Sequence, residues 1–171
     1  MKKICAAVFL ASVLSTSATA DPKHEPPAMP KEFDALKKLV GAWEGTSKME
    51  GKDMTVTVVY ELTSGGTALM EKLAPGTPME MISVYHKTGK TIGMTHYCAM
   101  GNSPQMVLKK ADDKSVAFEM TKPLGITSMK EPHMHAVTLT MSGPDELKQE
   151  WQHYMNGKKA DSVVFAFKRK K

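Results

Sequence analysis

The feature that most constrains the fold is a two-residue alternation of apolar and polar side chains in the first half of the sequence. Val56, Val58, Tyr60 and Leu62 alternate with Thr55, Thr57, Val59 and Glu61. Successive side chains of a β-strand point to opposite faces of the sheet. The alternation therefore predicts a strand with one buried face and one exposed face.

Turn-forming segments follow this strand at steady intervals. They are Ser64-Gly65-Gly66, Pro75-Gly76, Thr88-Gly89-Lys90, Asp112-Asp113-Lys114, Gly143-Pro144-Asp145 and Asn156-Gly157. The Asn-Gly pair is the strongest signal, because both residues tolerate positive φ in a tight hairpin. The intervals predict ten strands, centred near residues 44, 58, 70, 83, 95, 107, 118, 137, 150 and 164.

Short connections between these strands predict an all-β antiparallel meander, because neighbours in sequence then pair in space. A meander of this length has to close on itself or leave two unpaired edges. Closure into an up-and-down, calycin-like barrel of about ten strands is the simpler solution. A two-sheet sandwich is the alternative.

The N-terminal residues have the organisation of a secretory leader. Lys2 and Lys3 precede an apolar run over residues 4–14, and Ala18-Thr19-Ala20 has the small-x-small form of a cleavage site. We therefore expect a signal peptide over residues 1–20 and a mature N-terminus at Asp21. The apolar run is too short to span a bilayer stably, so we expect a periplasmic or secreted protein without membrane insertion.

A tether and a short helix are predicted between the leader and the first strand. Four prolines lie within residues 21–30 and favour an extended tether. Apolar residues then recur at helical spacing, which predicts a short amphipathic helix over residues 31–39 that ends before Gly41. Residues 31–171 should form one barrel domain.

Charge and cysteine content limit the remaining classes of protein. Cys98 is the only cysteine beyond the leader, so the domain cannot form an internal disulfide and must rely on a buried core. Basic residues are scattered apart from Lys168-Arg169-Lys170-Lys171, and no basic segment is interleaved with aromatic residues. We therefore expect no nucleic-acid partner, and we expect a monomer.

The stretch LKKLVGAWEG, residues 36–45, resembles the opening of calycin-type small barrels. In those barrels a short helix plugs one end and a Gly-x-Trp motif starts the first strand. The resemblance implies that Gly41 lets the chain turn closely and that Trp43 packs across the barrel floor.

Further motifs make nearly all of the mature chain similar to uncharacterised exported bacterial proteins of the DUF1579-type, lipocalin-like group. The motifs are GAWEG at 41–45, TALME at 67–71, THYCAMGN at 95–102, HMH at 133–135 and EW at 150–151. That group implies no activity for this chain. Nitrobindin-like barrels, which share the helix and Gly-x-Trp arrangement, bind haem through a histidine near the end of the barrel. His153 is the nearest candidate here, and the cofactor stays unassigned.

Strand alternation predicts which side chains face the barrel interior. His96 and Cys98 should face inward from the fifth strand, His133 and His135 from the eighth, and Gln149, Trp151 and His153 from the ninth. A buried histidine is costly unless it has a hydrogen-bond partner. A few polar groups that converge in an apolar cup are typical of a small-molecule site. The alternative is that neighbours or solvent at the rim satisfy each histidine.

We therefore expect an exported barrel that holds a small, largely apolar ligand in its lumen. A loop over residues 101–104 should lie at the barrel mouth, where Asn102 and Gln105 could orient the ligand or serve the turn. The candidate ligand-binding residues are His96, Cys98, Met100, Asn102, Gln105, His133, His135, Gln149, Trp151 and His153.

A copper or zinc site is the second hypothesis. His133 and His135 have a His-x-His spacing that places two imidazoles on one strand face, and His96 and Cys98 could complete the ligand set. Thioethers of Met94, Met100 and Met106 would suit Cu(I). The fifth and eighth strands are not predicted neighbours, so these ligands would have to meet across the lumen.

Two further readings remain. Cys98 with His96 or His135 could form a thiol and base pair, but no orienting acid or oxyanion hole is evident. We therefore assign no catalytic residue and expect a binding protein rather than an enzyme. The last alternative is a barrel whose outer surface binds another envelope protein.

Overall fold

The computed structural model describes residues 27–49 and 52–171. The predicted signal peptide and most of the predicted tether lie outside the described residues. The elements are α1 (Phe33–Lys37), β1 (Gly41–Met49), β2 (Lys52–Thr63), β3 (Ala68–Leu73), β4 (Met81–Thr88), β5 (Thr91–Tyr97), β6 (Gln105–Ala111), β7 (Ser115–Glu119), β8 (His133–Gly143), β9 (Glu146–Met155) and β10 (Lys158–Arg169). A 3-10 turn over Ser64–Gly66 joins β2 to β3.

The ten strands form a closed antiparallel barrel. Each strand pairs with its neighbours in sequence, and β1 pairs with β10 to complete the ring. The prediction of a ten-stranded up-and-down barrel is confirmed, and the two-sheet sandwich is wrong. Closure pairs the two end strands of the meander over residues 43–46 and 166–169, which shortens the unpaired edge that an open meander would leave.

The helix α1 is shorter than predicted and begins at Phe33 rather than at residue 31. The side chain of Glu32, the residue before α1, makes no capping hydrogen bond. The helix ends in a 3-10 turn, in which the N–H of Leu39 donates to the Leu36 carbonyl at 3.0 Å. Such turns tighten the last part of a short helix. Phe33 and Leu36 are nevertheless fully buried, so α1 fulfils the predicted role of a plug.

Trp43 and Arg169 close the barrel end that carries α1. The indole Nε1 of Trp43 donates to the Leu39 carbonyl at 2.8 Å, and the Arg169 guanidinium lies 4.0 Å above the indole ring. The same guanidinium donates to the carbonyls of Val40 at 2.7 Å and Lys38 at 2.8 Å. These contacts attach β10 to the segment between α1 and β1.

Loops from the other end of the barrel surround an open mouth. The β7–β8 connection, residues 120–132, runs beside the start of β6, where Ser103 N–H donates to the Gly125 carbonyl at 3.0 Å. Gly125 has a φ of +78°, and an added Cβ would lie 1.8 Å from the Ser103 carbonyl oxygen. Only glycine fits this approach. The rim is therefore a packed structure.

Buried residues follow the predicted alternation in most of the strands, but the register of some strand pairs shifts. Val58, Tyr60 and Phe118 are buried on the predicted faces. In β8 the register with β9 shifts between Met134 and Ala136, which makes His135 the extra residue of a β-bulge. A bulge interrupts the alternation of faces, and this one lies beside the open mouth.

Candidate functional site

The open end of the barrel contains a cavity of about 200 Å³. Its wall is almost wholly apolar and includes Val56, Leu73, Met81, Met134, Trp151 and Phe165. Met79 and Met100, each 47% exposed, flank the mouth. The apolar faces of β2, β3, β9 and β10 continue into this cavity because α1 fills only the opposite end of the barrel.

His96 is the polar side chain of this cavity wall. It is 1% exposed, and its Nδ1 lies 3.0 Å from the Ser83 hydroxyl oxygen. Its other ring nitrogen, Nε2, is buried without a hydrogen-bond partner among the described residues. Burial lowers the pKa of His96 from 6.5 to about 4, so the ring is neutral at physiological pH. The Trp151 ring centroid is 4.5 Å from that of His96.

Cys98 lies two residues further along the same face, at the mouth. Its Sγ is 3.9 Å from the Sδ of Met81, and the side chain is half-buried. Burial raises the pKa of the Cys98 thiol, which disfavours the thiolate. Cys98 therefore contributes a neutral sulfur to the wall and does not have the features of an activated nucleophile.

A buried polar network lies in the barrel interior beyond the cavity. The hydroxyl of Tyr85 donates to Oε2 of Glu71 at 2.7 Å, while the Oε1 of Glu71 has no partner among the described residues. The amide of Gln149 donates to the Tyr60 hydroxyl, and its oxygen accepts from Nε1 of Trp151 at 3.0 Å. Gln149 thus supports the cavity wall through Trp151 and does not itself line the cavity.

Glu71 is the member of this network that sequence reasoning missed. Burial raises its pKa from 4.5 to about 7, although the hydrogen bond from Tyr85 opposes the shift. Cross-strand pairing places Tyr60 opposite Glu71, Glu71 opposite Ser83, and Ser83 opposite His96. The sequence contained a signal for this, because Glu71 shares one face of β3 with the apolar Leu69 and Leu73.

His133 and His135 are buried but lie outside the cavity. Nε2 of His133 is 3.2 Å from Nδ1 of His135, and Nδ1 of His133 is 2.6 Å from the Glu131 carbonyl oxygen. The His135 ring stacks on Tyr154 at 4.0 Å, and burial lowers its pKa, aided by the adjacent His133. Because His135 forms the bulge, Met134 lines the cavity where alternation predicted the two histidines.

The remaining candidate residues occupy separate places around the rim. Asn102 donates through Nδ2 to Oε1 of Glu131 at 2.8 Å and to the Pro132 carbonyl at 2.9 Å, so it joins two loops. Gln105 is exposed at the start of β6. The structure therefore brings His96, Cys98, Met100 and Trp151 together in the cavity wall, and places the other six candidates elsewhere.

His153 lines a separate depression where β1 and β10 diverge beyond their last pair, Thr46 with Ala166. Its neighbours there include Ser47, Asp53, Asp161 and Ser162. Haem needs a largely apolar slot beside its axial ligand. The polar surroundings of His153 do not fit that requirement.

The four side chains proposed for copper or zinc do not come together. His96 and Cys98 line the cavity, whereas His133 and His135 contact each other beneath the rim. Within residues 27–49 and 52–171, no three or more His, Cys, Asp or Glu residues are grouped in a way that could hold a metal ion. In the same part of the chain, no helix has the length and apolar character needed to cross a membrane.

Comparison with known proteins supports the fold. No protein-family model and no curated protein matches the chain. The structure is similar to the crystal structure of a protein of unknown function from the DUF3598 family of Nostoc punctiforme, with a TM-score of 0.57 and 15% sequence identity. The match covers 79% of this chain and 48% of that protein, so this chain spans about half its length. At this identity the likeness shows the barrel fold alone, and the DUF1579-type resemblance is not confirmed.

Proposed function

We propose that this protein is an exported barrel that binds a small, largely apolar molecule in the cavity at its open end. The observation that carries the proposal is an apolar cavity, open at one end of the barrel, whose wall includes the buried and neutral imidazole of His96. An apolar molecule that entered this cavity would remove its own apolar surface from water, which is favourable.

The dimensions of the cavity suit a small ligand. An engineered apolar cavity of about 150 Å³ in another protein stays dry and binds benzene. The cavity here, about 200 Å³ and open at the mouth, has room for one ring with a short substituent. The methionines at the mouth suit such a role, because flexible thioether side chains adapt to ligand shape.

An organic ligand is preferred to copper or zinc because two of the four suggested metal ligands face away from the cavity. The leader-like residues 1–20 support export to the periplasm or beyond, and the motifs at 41–45 and 95–102 support membership of the DUF1579-type, lipocalin-like group. The mature protein would act as a monomer, with the small molecule as its partner.

Mass spectrometry of small molecules extracted from the natively purified protein tests the proposal. Val163→Phe should reduce the amount of bound molecule, because Val163 lines the cavity and the larger ring would fill part of it. Val164→Phe is the matched control, since Val164 is the adjacent residue and is exposed on the outer face. Equal recovery of one molecule from both variants would place its binding site outside the cavity and contradict the proposal.

A further inference from the structure

We propose that the free edge of β10 binds an extended, basic peptide segment of another protein, which adds to the barrel wall as a further strand. The site is the split between β1 and β10, whereas the small-molecule cavity opens at the end of the barrel. The proposed function and this docking site therefore stand or fall separately.

The two end strands of the barrel pair over only part of their length. β1 and β10 form four residue pairs, from Trp43 with Arg169 to Thr46 with Ala166. Residues 158–165 of β10 lie beyond the last pair, and in the described part of the chain β9 is their only partner strand. This half of β10 therefore has a free edge, and such an edge presents unpaired N–H and C=O groups.

The backbones of β1 and β10 come close together just before the split. An added Cβ on Gly45 would lie 1.9 Å from the Ala166 carbonyl oxygen, so a larger residue would force the strands apart. A glycine within a strand commonly marks such an approach. After Thr46, β1 continues beside β2 and leaves β10. The split therefore begins at a contact that the sequence specifies.

The hydrogen-bonding groups of the free edge point into the split. In an antiparallel strand, the N–H and C=O groups of alternate residues point to the same side. Lys170 N–H donates to the Ala42 carbonyl on β1 at 2.8 Å, and every second residue back to Ser162 shares that side because the register with β9 is regular over this stretch. The Val164 carbonyl accordingly accepts from the Ser47 hydroxyl at 3.1 Å. On this side, no described strand pairs with Ser162 or with the N–H of Val164.

A depression of about 690 Å³ lies beside these groups, and Ser47, Ser162 and Val164 line it. An extended peptide fits this edge because its own N–H and C=O groups repeat every two residues, as those of β10 do. Strand addition of this kind is a recurring mode of peptide recognition, in which main-chain hydrogen bonds supply the affinity. The geometry of the edge therefore specifies an extended backbone as the occupant.

The tip of β10 disfavours the same pairing between two copies of the chain. The register of β10 with β9 shifts between Lys159 and Ser162, which is the mark of a β-bulge. Lys158 and Lys159 are exposed on this tip. Bulges and lysines on an edge strand oppose long edge-to-edge pairing. They leave a short segment from Ser162 onwards, which suits a flexible peptide better than the wall of a second barrel.

Two carboxylates give the site a preference for basic peptides. Asp53 and Asp161 are exposed in the wall of the depression, and among the described side chains that line it there is no lysine or arginine. Lys158 and Lys159 lie at the tip of β10 and do not line the depression. A lysine or arginine on the added strand would therefore be attracted to the two carboxylates, and a glutamate would be repelled.

Amide hydrogen exchange measured by NMR on the folded wild-type protein tests the proposal. The probes are two capped peptides of about six residues, in which valine alternates with lysine or with glutamate. A third probe is the lysine peptide with every backbone nitrogen methylated, which keeps the charge and removes the N–H donors. Val163 is the internal reference, because its N–H points towards β9.

The lysine peptide should slow exchange at Ser162 and Val164 about 10-fold when its concentration is about ten times its dissociation constant, and should affect Val163 less. At low salt the glutamate peptide should bind about 2- to 30-fold more weakly, and the methylated peptide should not slow exchange. If millimolar lysine peptide leaves exchange at Ser162 and Val164 unchanged, or if the methylated peptide slows it equally, strand addition is wrong. Equal binding of the two unmethylated peptides would overturn the preference for a basic segment. If exchange at Ser162 slows with protein concentration alone while the mass in light scattering doubles, the occupant is a second copy and the proposal is wrong.

A matched pair of variants at Ser162 gives a second measurement. Ser162→Pro and Ser162→Ala both lose the hydroxyl that donates to Oε1 of Gln152 at 3.1 Å, but only proline removes the main-chain N–H in the split. This N–H is not part of the ladder with β9, so proline is tolerated there as it is on other edge strands. Ser162→Pro should abolish the slowing at Val164, and Ser162→Ala should retain it. Equal slowing in both folded variants would contradict the proposal, and the methylated peptide on wild type decides if Ser162→Pro does not fold.

Discussion

At the residue scale, Glu71 and His96 have pKa values that are shifted in opposite directions by the same cause. Burial disfavours the charged form of each, so it raises the pKa of the Glu71 carboxyl to about 7 and lowers that of the His96 imidazole to about 4. Both groups are therefore neutral in the folded barrel over much of the mildly acidic range. Their effects on stability have opposite signs.

Glu71→Gln should reveal how Glu71 contributes to the pH dependence of the free energy of unfolding. The folded pKa of about 7 exceeds the reference value of 4.5, so the native state holds more protons than the unfolded state between these values. Stability from this group is greatest below pH 4.5 and is lost as the pH rises to about 7, with a total effect of about 3 kcal/mol. Because His96 has the opposite pH dependence, the loss should appear as a difference between two proteins. Denaturant unfolding from pH 4.5 to pH 7 should show the wild type losing stability relative to Glu71→Gln by about this amount. Parallel profiles for the two proteins would contradict the assignment.

His96→Phe should reveal the contribution of His96, which changes the free energy of unfolding with pH in the opposite direction. The folded pKa of His96, about 4, is below the reference value of 6.5, so the unfolded state holds more protons between these values. Stability from neutral His96 is complete above pH 6.5 and is lost as the pH falls towards 4. In the wild type this partly cancels the effect of Glu71, whereas His96→Phe should become steadily less stable between pH 4.5 and pH 7. A profile that instead rises with pH over this range would show that Glu71 is not shifted as described.

At the scale of elements, the contact between α1, β1 and β10 holds the closed end together. Trp43 is fully buried and contacts Leu39 through its hydrogen bond and Arg169 through its ring face. Trp43→Ala should lower the free energy of unfolding by about 3–5 kcal/mol, as other large-to-small changes in protein cores do. Glu44→Ala is the control, since Glu44 is exposed and its ion pair with Lys170 is worth little. A loss below about 1 kcal/mol for Trp43→Ala in urea melts would contradict this role.

The rim depends on the close approach of the β7–β8 connection to the β5–β6 connection. Gly125→Ala combines a strained positive φ with a Cβ that would overlap the Ser103 carbonyl. Gly89→Ala shares only the strain, because Gly89 also has positive φ but open space around it. The control should cost about 1–2 kcal/mol, and Gly125→Ala distinctly more. Equal losses in thermal or urea unfolding would show that the loop moves away from Ser103 without cost.

Strand positions could be predicted from the sequence because alternation and turn residues are local signals. All ten predicted strands exist, and the predicted faces of β2, β5, β7 and β10 are those that are buried, except that Leu62 near the end of β2 is exposed. The burial of His133 and His135 was predicted, but their position outside the cavity could not be, because a bulge depends on the partner strand and not on β8 alone. Glu71 was missed for a related reason, since its burial depends on tyrosines from β2 and β4 that only the folded barrel brings to it.

At the scale of the whole molecule, one prediction concerns processing. Residues 1–20 have the charge, apolar run and small-x-small site of a secretory leader, although they lie outside the described part of the structure. Protein recovered from the cell envelope or the medium should begin at Asp21. Intact-mass measurement and N-terminal sequencing test this expectation. Recovery of envelope protein that still begins with Met1 would contradict it.

The pairing of β1 with β10 also determines the order in which the molecule can assemble. Nine of the ten strand pairings join neighbours in sequence, so these hairpins can form from local contacts. The tenth pairing requires Trp43 and Arg169 to meet although most of the chain separates them. Such distant contacts form after local ones, because the entropy of closing the long loop has to be overcome first. Phe165 on β10 and Val56 on β2 line the same cavity, so the binding site comes into existence only when the ring closes. A ligand that recognises this cavity therefore acts on the final step of folding, and its binding opposes reopening of the ring.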